Sequence, residues 1–300
     1  MPLAIGPAGV WSSFDRLGAD QVVAFAQAAE TSGFDLLWTQ ETAGRDPFAL
    51  LGHLADRTDR IGLGVGIAII HGRDPVAMRA GASTVHELSA GRMVLGLGVS
   101  HRDTVSEVRG HPYERPLSAM RDYLDAYEAA AYRGPTPFGA PPVVVAALRR
   151  RMLELAATRA DGAFPYLVPL SYVGRARRAL DAAAEAAERP RPRLIVSQPC
   201  LLESNPAAAR RAAHRYLDRY LGLPNYLANL RECGYTGDEL AKPGADRLVD
   251  DLVAWGDATA IRPRLREMLA AGADHVALIP LTHEGQHADQ LTMEALAPPW

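Results

Sequence analysis

The chain has 300 residues, 48% of them apolar and 22% charged, a balance that fits a globular protein with a sizeable core. A formal net charge of −3 supplies no bulk basic field for nucleic acid, and the longest uncharged apolar run, 61–70, is far short of the roughly 20 residues a membrane span needs. Two cysteines, Cys200 and Cys233, make neither a disulfide framework nor a zinc ribbon, which points to a cytoplasmic protein.

Taken in chain order, the first segment, Met1-Pro2-Leu3-Ala4-Ile5, has no basic n-region and no cleavage site. It reads as a first strand over 3–5 rather than a signal peptide. Further strand-like runs follow at 34–39, 61–70, 92–99, 143–147, 161–165, 194–201 and 275–279. Helical patterns lie between them, at 19–31, 47–58, 75–88, 116–132, 152–158, 172–188, 206–220 and 261–271. The strands are apolar on both faces and alternate with helices, the pattern of a parallel sheet covered by helices. Eight such units predict an α/β fold of the (β/α)8 TIM-barrel type, with a doubly wound open sheet as the alternative.

Two of the units echo each other. Gly44-Arg45-Asp46-Pro47 follows the second strand and Gly72-Arg73-Asp74-Pro75 the third, a spacing of about 30 residues that suits one βα unit. In each, Asp is placed to cap a helix and Pro to fill its first turn. The seventh and eighth strands are separated by a long stretch with helical patterns at 206–220, 226–231 and 245–255. No Ser/Gly-rich linker divides the chain, so 1–300 reads as one domain with a helical insertion over 203–258 lying across one end of the barrel. Active sites of such barrels stand at the strand C-terminal ends.

Other motifs say less. Lys242 is the only lysine; no Gly-Lys-Ser/Thr loop exists for a nucleotide, and its turn-like setting suits no Schiff base. His283-Glu284-Gly285-Gln286-His287 matches the spacing of a zinc-protease helix, but Gly285 weakens a helix and no clear third histidine ligand follows. The segment reads as a polar tail after the eighth strand, with no metal. Cys200, inside the seventh strand, reads as a small buried apolar residue.

A more specific pattern runs through the chain. Trp38-Thr39-Gln40-Glu41 ends the second strand, and Ala90-Gly91-Arg92-Met93-Val94-Leu95-Gly96-Leu97-Gly98-Val99-Ser100-His101 spans the fourth. Gly110-His111-Pro112-Tyr113 follows, then Val144-Val145-Ala146-Ala147-Leu148, Ala160-Asp161-Gly162-Ala163 and Leu223-Pro224-Asn225-Tyr226. In this order the segments resemble the luciferase-like monooxygenase superfamily, in particular its branch of oxidoreductases using the deazaflavin coenzyme F420. The resemblance implies a barrel, a homodimer, and hydride transfer between F420 and a small organic substrate. It also implies a non-proline cis peptide near Ala68-Ile69-Ile70, and coenzyme contacts from Glu41, Ile69, Ile70, Val99, Ser100, Ala146 and Ala147. For the dimer, apolar side chains on 47–58 and 75–88 (Phe48, Leu50, Leu51, Leu54, Val76, Met78, Val85) exceed what a barrel wall is expected to use.

The candidate chemical groups follow from position. Glu41, with His101 a candidate catalytic residue, stands where the family places an acid beside the deazaflavin; the next residue, a catalytic histidine in sugar-phosphate dehydrogenases of the family, is Thr42 here. His101 follows the fourth strand, where some relatives carry a glutamate, and a histidine there can act as acid or base near neutral pH. His71 and Trp11 are candidates for the substrate pocket. Arg149 and Arg150 replace the Gly-Pro that usually seats the coenzyme phosphate. The helix start still attracts a phosphate, and the arginines add charged donors. Two other readings stay open: an FMN-dependent monooxygenase, disfavoured by the acid in Leu202-Glu203-Ser204-Asn205-Pro206, and a non-catalytic flavin-binding barrel, suggested by Thr42 and the Arg149-Arg150 replacement.

Overall fold

A computed structural model describes residues 5–300. The strand expected over 3–5 falls largely outside them, and the first described strand is β1 (Ala8–Ser12). Then come α1 (Ala19–Thr31), β2 (Leu36–Thr39), α2 (Pro47–Ala55), β3 (Gly62–Ile69), α3 (Pro75–Leu88) and β4 (Met93–Gly98). Next are α4 (Pro116–Ala129), β5 (Val143–Val145), α5 (Arg150–Arg159), β6 (Gly162–Ala163), α6 (Leu170–Ala186) and β7 (Arg193–Leu202). The long connection holds α7 (Pro206–Leu217), α8 (Pro224–Glu232), α9 (Gly237–Leu240), α10 (Asp246–Leu252) and β8 (Ala254–Gly256). The chain ends with α11 (Ala258–Ala270), β9 (His275–Leu281) and α12 (Gln290–Ala295).

Strands β1 to β7 and β9 form a closed parallel ring: each pairs with the next, β7 pairs with β9, and β9 returns to β1. This is the predicted eight-stranded barrel, with helices outside and a helical insertion between its seventh and eighth strands. The ninth strand was not predicted. Residues 245–255 read as a helix, but only α10 is helical; Val253-Ala254-Trp255 is a β-favouring run, and Gly256, at φ 134, cannot continue a helix. β8 pairs with Cys200–Leu202, on the edge of β7 that β6 uses lower down.

The glycines of β3 have a packing cause. Trp38 fills the barrel interior, fully buried, and a Cβ on Gly64 would stand 2.3 Å from its ring. Trp38 Nε1–H donates to His275 Nε2 at 3.0 Å, and His275 Nδ1–H donates to Gly6 O at 2.5 Å. These two bonds fix a neutral tautomer, and burial pushes the His275 pKa down to about 4.

The echoed turns cap their helices. Asp46 accepts from the N–H of Phe48 and Ala49, Asp74 from Val76 and Ala77, and Pro47 and Pro75 open the helices. Arg73 of the second echo reaches back to pair with Asp46 of the first. The apolar excess expected on α2 and α3 is mostly used by the barrel wall. Phe48, Leu51, Leu54, Met78 and Val85 are buried in the barrel wall, and of the seven only Val76, 55% exposed, stands out in solvent.

Candidate active site

The C-terminal ends of the strands open into a cavity of about 1400 Å³. That exceeds the roughly 300–1,000 Å³ of an ordinary small-ligand pocket, so the cavity has room for more than one small molecule. One part of its lining is apolar and low: Ile67 and Ile69 from β3, Val99 beyond β4, and Ala146 and Ala147 beyond β5. The Gly66–Ile67 peptide is cis, close to Ala68 but two residues earlier than the sequence placed it, at a register shift between Val65 and Ala68. Trp11 Nε1–H donates to Gly66 O at 2.7 Å, holding this segment from across the barrel.

Glu41 faces the cavity from the end of β2, its side chain 5% exposed. Its oxygens are fully engaged: Oε1 accepts from Arg73 at 2.6 Å and Arg109 at 3.1 Å, and Oε2 from Ile69 N–H at 2.6 Å. Glu41 therefore fastens the end of β3 to two loops. Thr42 donates to Asp15 Oδ2 at 2.7 Å.

His101 lines the cavity beside Tyr226, ring centroids 5.5 Å apart. Burial, helped by the Arg219 charge and opposed by Asp103, holds its pKa below the usual value, so the ring is neutral and can accept a proton at neutral pH. Ser100, at φ 58, turns the chain here, and its carbonyl accepts from Tyr113 OH at 3.1 Å.

Ile70 and His71 are not in the lining. Ile70 is buried in a short turn after β3, and His71 lies behind Tyr113, ring centroids 6.1 Å apart. β3 ends at Ile69, and its register shift brings Ile67 and Ile69 to the cavity, whereas Ile70 and His71 belong to the turn beyond.

Arg149 and Arg150 stand at the rim, where α5 begins with amides that have no helical partner. Arg149 pairs with Glu232 at the end of α8 at 2.8 Å, and Arg150, 85% exposed, turns along its own helix to Glu154 at 2.8 Å. Arg151 joins them in the lining.

The aromatic wall of the cavity escaped the sequence reading. Trp11 was expected there; Tyr166, Tyr216, Tyr220, Tyr226 and His287 join it. Tyr216 and Tyr220 are four residues apart, a spacing that signals one helix face. His287 is no tail residue: an antiparallel bridge to Leu281 folds its segment back, and the ring packs between Trp11 and Tyr216 at 5.2 and 5.7 Å. The 283–287 segment is a turn, not a helix. Among the described residues no group of three His, Cys, Asp or Glu is placed to hold a metal ion, and no helix is long and apolar enough to cross a membrane.

Comparison with known proteins places these features. Residues 6–275 match the family described as luciferase-like monooxygenase. A Mycobacterium tuberculosis protein named, provisionally, as a coenzyme F420-dependent oxidoreductase is 27% identical, covering 88% of this chain and 91% of its own. Among solved structures, an F420-dependent secondary alcohol dehydrogenase in complex with an F420-acetone adduct has a TM-score of 0.79 at 12% identity, covering 98% of each chain. The oxygenating constituent of 3,6-diketocamphane monooxygenase from Pseudomonas putida, in complex with FMN, has a TM-score of 0.74 at 18% identity, covering 97% of this chain and 96% of its own.

Proposed function

Because the chain belongs to the luciferase-like monooxygenase family, and so is an enzyme of that class, we propose that it binds coenzyme F420 and moves hydride between it and a small organic substrate. The observation that carries this reading is the composition of the cavity: an apolar floor, basic side chains at the start of α5, and an aromatic wall. The floor of Ile67, Ile69, Val99, Ala146 and Ala147 suits a flat ring. The free amides at the start of α5, with Arg149 and Arg151, suit its phosphate and acidic tail. When bound, the coenzyme supplies a two-electron hydride carrier. The chain's own residues do the rest. Glu41 holds the floor in place through Ile69, His101 takes or returns a proton, and the insertion carries part of the substrate wall.

The FMN alternative needs a phosphate seat beyond β7. There the Asn205 side chain already takes the Ala208 amide, and Glu203 takes the Asn205 amide. That turn is closed upon itself, which supports deazaflavin. A cytoplasmic homodimer, and one domain over 1–300 with an insertion over 203–258, belong to the same proposal. Two free cysteines support the compartment and a buried core cluster running from Ile5 to Leu296 supports the single domain, while the dimer rests on the family resemblance alone.

Titrating the purified chain with F420 and with FMN, followed by fluorescence, tests the reading. F420 binding is expected, and Arg149→Ala is expected to weaken it about two- to fivefold at low salt, the worth of a half-exposed charge contact. Arg150→Ala is expected to change little. Binding of FMN alone would make the chain a monooxygenase; binding of neither would overturn both cofactor readings.

A further inference from the structure

The aromatic wall is a closed circuit. Trp11 contacts Tyr166 (ring centroids 5.3 Å), Tyr166 contacts Tyr220 (5.5 Å) and Tyr220 contacts Tyr216 (5.5 Å). Tyr216 contacts His287 (5.7 Å), and His287 returns to Trp11 (5.2 Å). Tyr226 closes the side toward His101. All line the cavity.

Three of the hydroxyls form a chain. Tyr166 Oη lies 2.5 Å from Tyr216 Oη and 3.1 Å from Tyr220 Oη, the two close links of this cluster. Three hydroxyls bring three protons, and two links use two. One O–H is left over from the two close links and is available to whatever occupies the cavity. Burial pushes all three phenols above their ordinary pKa, so the count holds at every ordinary pH. His287 adds a second unsatisfied group, its Nδ1 buried without a partner. A donor left over in an aromatic box asks for an acceptor on a flat apolar body. Arg215 and Arg219 line the same side, which disfavours a cation.

We propose that this box seats the substrate, and that the substrate is a neutral, planar ring compound whose carbonyl oxygen accepts the spare O–H of the Tyr216–Tyr166–Tyr220 chain. Such a bond draws electron density from the carbonyl carbon and makes it the better acceptor. Calling the ligand a substrate rests on the oxidoreductase reading; the binding itself does not.

The test uses the coenzyme-free full-length chain and follows quenching of tryptophan emission, since Trp11 is part of the box. The probes are 1-tetralone, tetralin, which lacks the oxygen, and 1-naphthoate. The ketone is expected to bind about three- to tenfold more tightly than tetralin, the worth of a neutral hydrogen bond. Tyr220→Phe should keep this preference, because two hydroxyls joined by one link still leave one proton over. The triple variant Tyr166→Phe, Tyr216→Phe, Tyr220→Phe should lose it while binding tetralin within about twofold of wild type. Should the triple variant fail to fold, the carbonyl stretch of carbon-13-labelled tetralone on the wild-type chain decides: a frequency below that in hexane supports the bond, and an equal one overturns it. Equal binding of ketone and hydrocarbon, no binding of either, or a preference for naphthoate also overturns it. Coenzyme titration of the same sample keeps the two readings apart: a chain that prefers tetralone but binds no F420 keeps this seat and loses the oxidoreductase reading.

Discussion

Glu41 shows how a residue can face a cavity and yet hold nothing in reserve for a ligand. Its carboxylate is flanked by two guanidiniums and the Ile69 amide, so its first effect is on structure. Glu41→Gln is expected to destabilise the protein by about 1.5–3 kcal/mol, the range for hydrogen bonds to a charged group, read as a lower urea midpoint at unchanged slope. An unchanged midpoint would remove Glu41 from this role. The buried histidines set a pH dependence. His275 and His287 stay neutral in the fold down to about pH 4, whereas an unfolded histidine protonates near about 6.5. Between those values the unfolded chain takes up protons that the folded chain refuses. Stability is therefore complete above about pH 6.5 and falls as pH drops toward about 4. Thermal midpoints across this window should show the fall, and His275→Gln should make it shallower; parallel curves would mean that His275 does not contribute.

Among the elements, the two caps allow a direct comparison. Asp74 caps α3 alone, whereas Asp46 caps α2 and also pairs with Arg73. Both Asp→Ala changes should cost about 0.5–2 kcal/mol, with Asp46→Ala the larger by calorimetry; the reverse order would discount the Arg73 link. The pair between Arg149 on the α5 start and Glu232 on α8 sits across the proposed phosphate seat. A phosphate must displace Glu232, so Glu232→Gln should strengthen F420 binding about two- to fivefold at low salt; weaker binding would show that the pair shapes the seat instead. What could be read from sequence follows this division. Caps, helices and barrel alternation rest on neighbours in the chain, and so they were legible. β8 is three residues that become a strand only because β7 offers an open edge. The aromatic box assembles from several separate segments, and no spacing reveals that. Trp11 alone was seen, and His287 was misread because its burial depends on a fold-back to Leu281.

At the scale of the whole molecule, the homodimer finds less apolar surface on α2 and α3 than the sequence suggested, with Val76 and Leu88, 55% and 60% exposed, as its remaining large apolar side chains on α3. Light scattering at micromolar concentration is expected to give twice the chain mass; a monomer mass would end that proposal. The ninth strand has a different kind of consequence. The chain leaves β7 at Leu202 and comes back as β8 to pair with Cys200–Leu202, so the two ends of the excursion stand one strand spacing apart, about 4.8 Å. A segment whose ends meet can be exchanged for another of different length with little disturbance to the framework that carries it. Tyr216, Tyr220 and Tyr226 travel with this segment, while the apolar floor and the start of α5 do not. Recombination at two neighbouring points could thus give a descendant a new diet while leaving its redox apparatus as inherited.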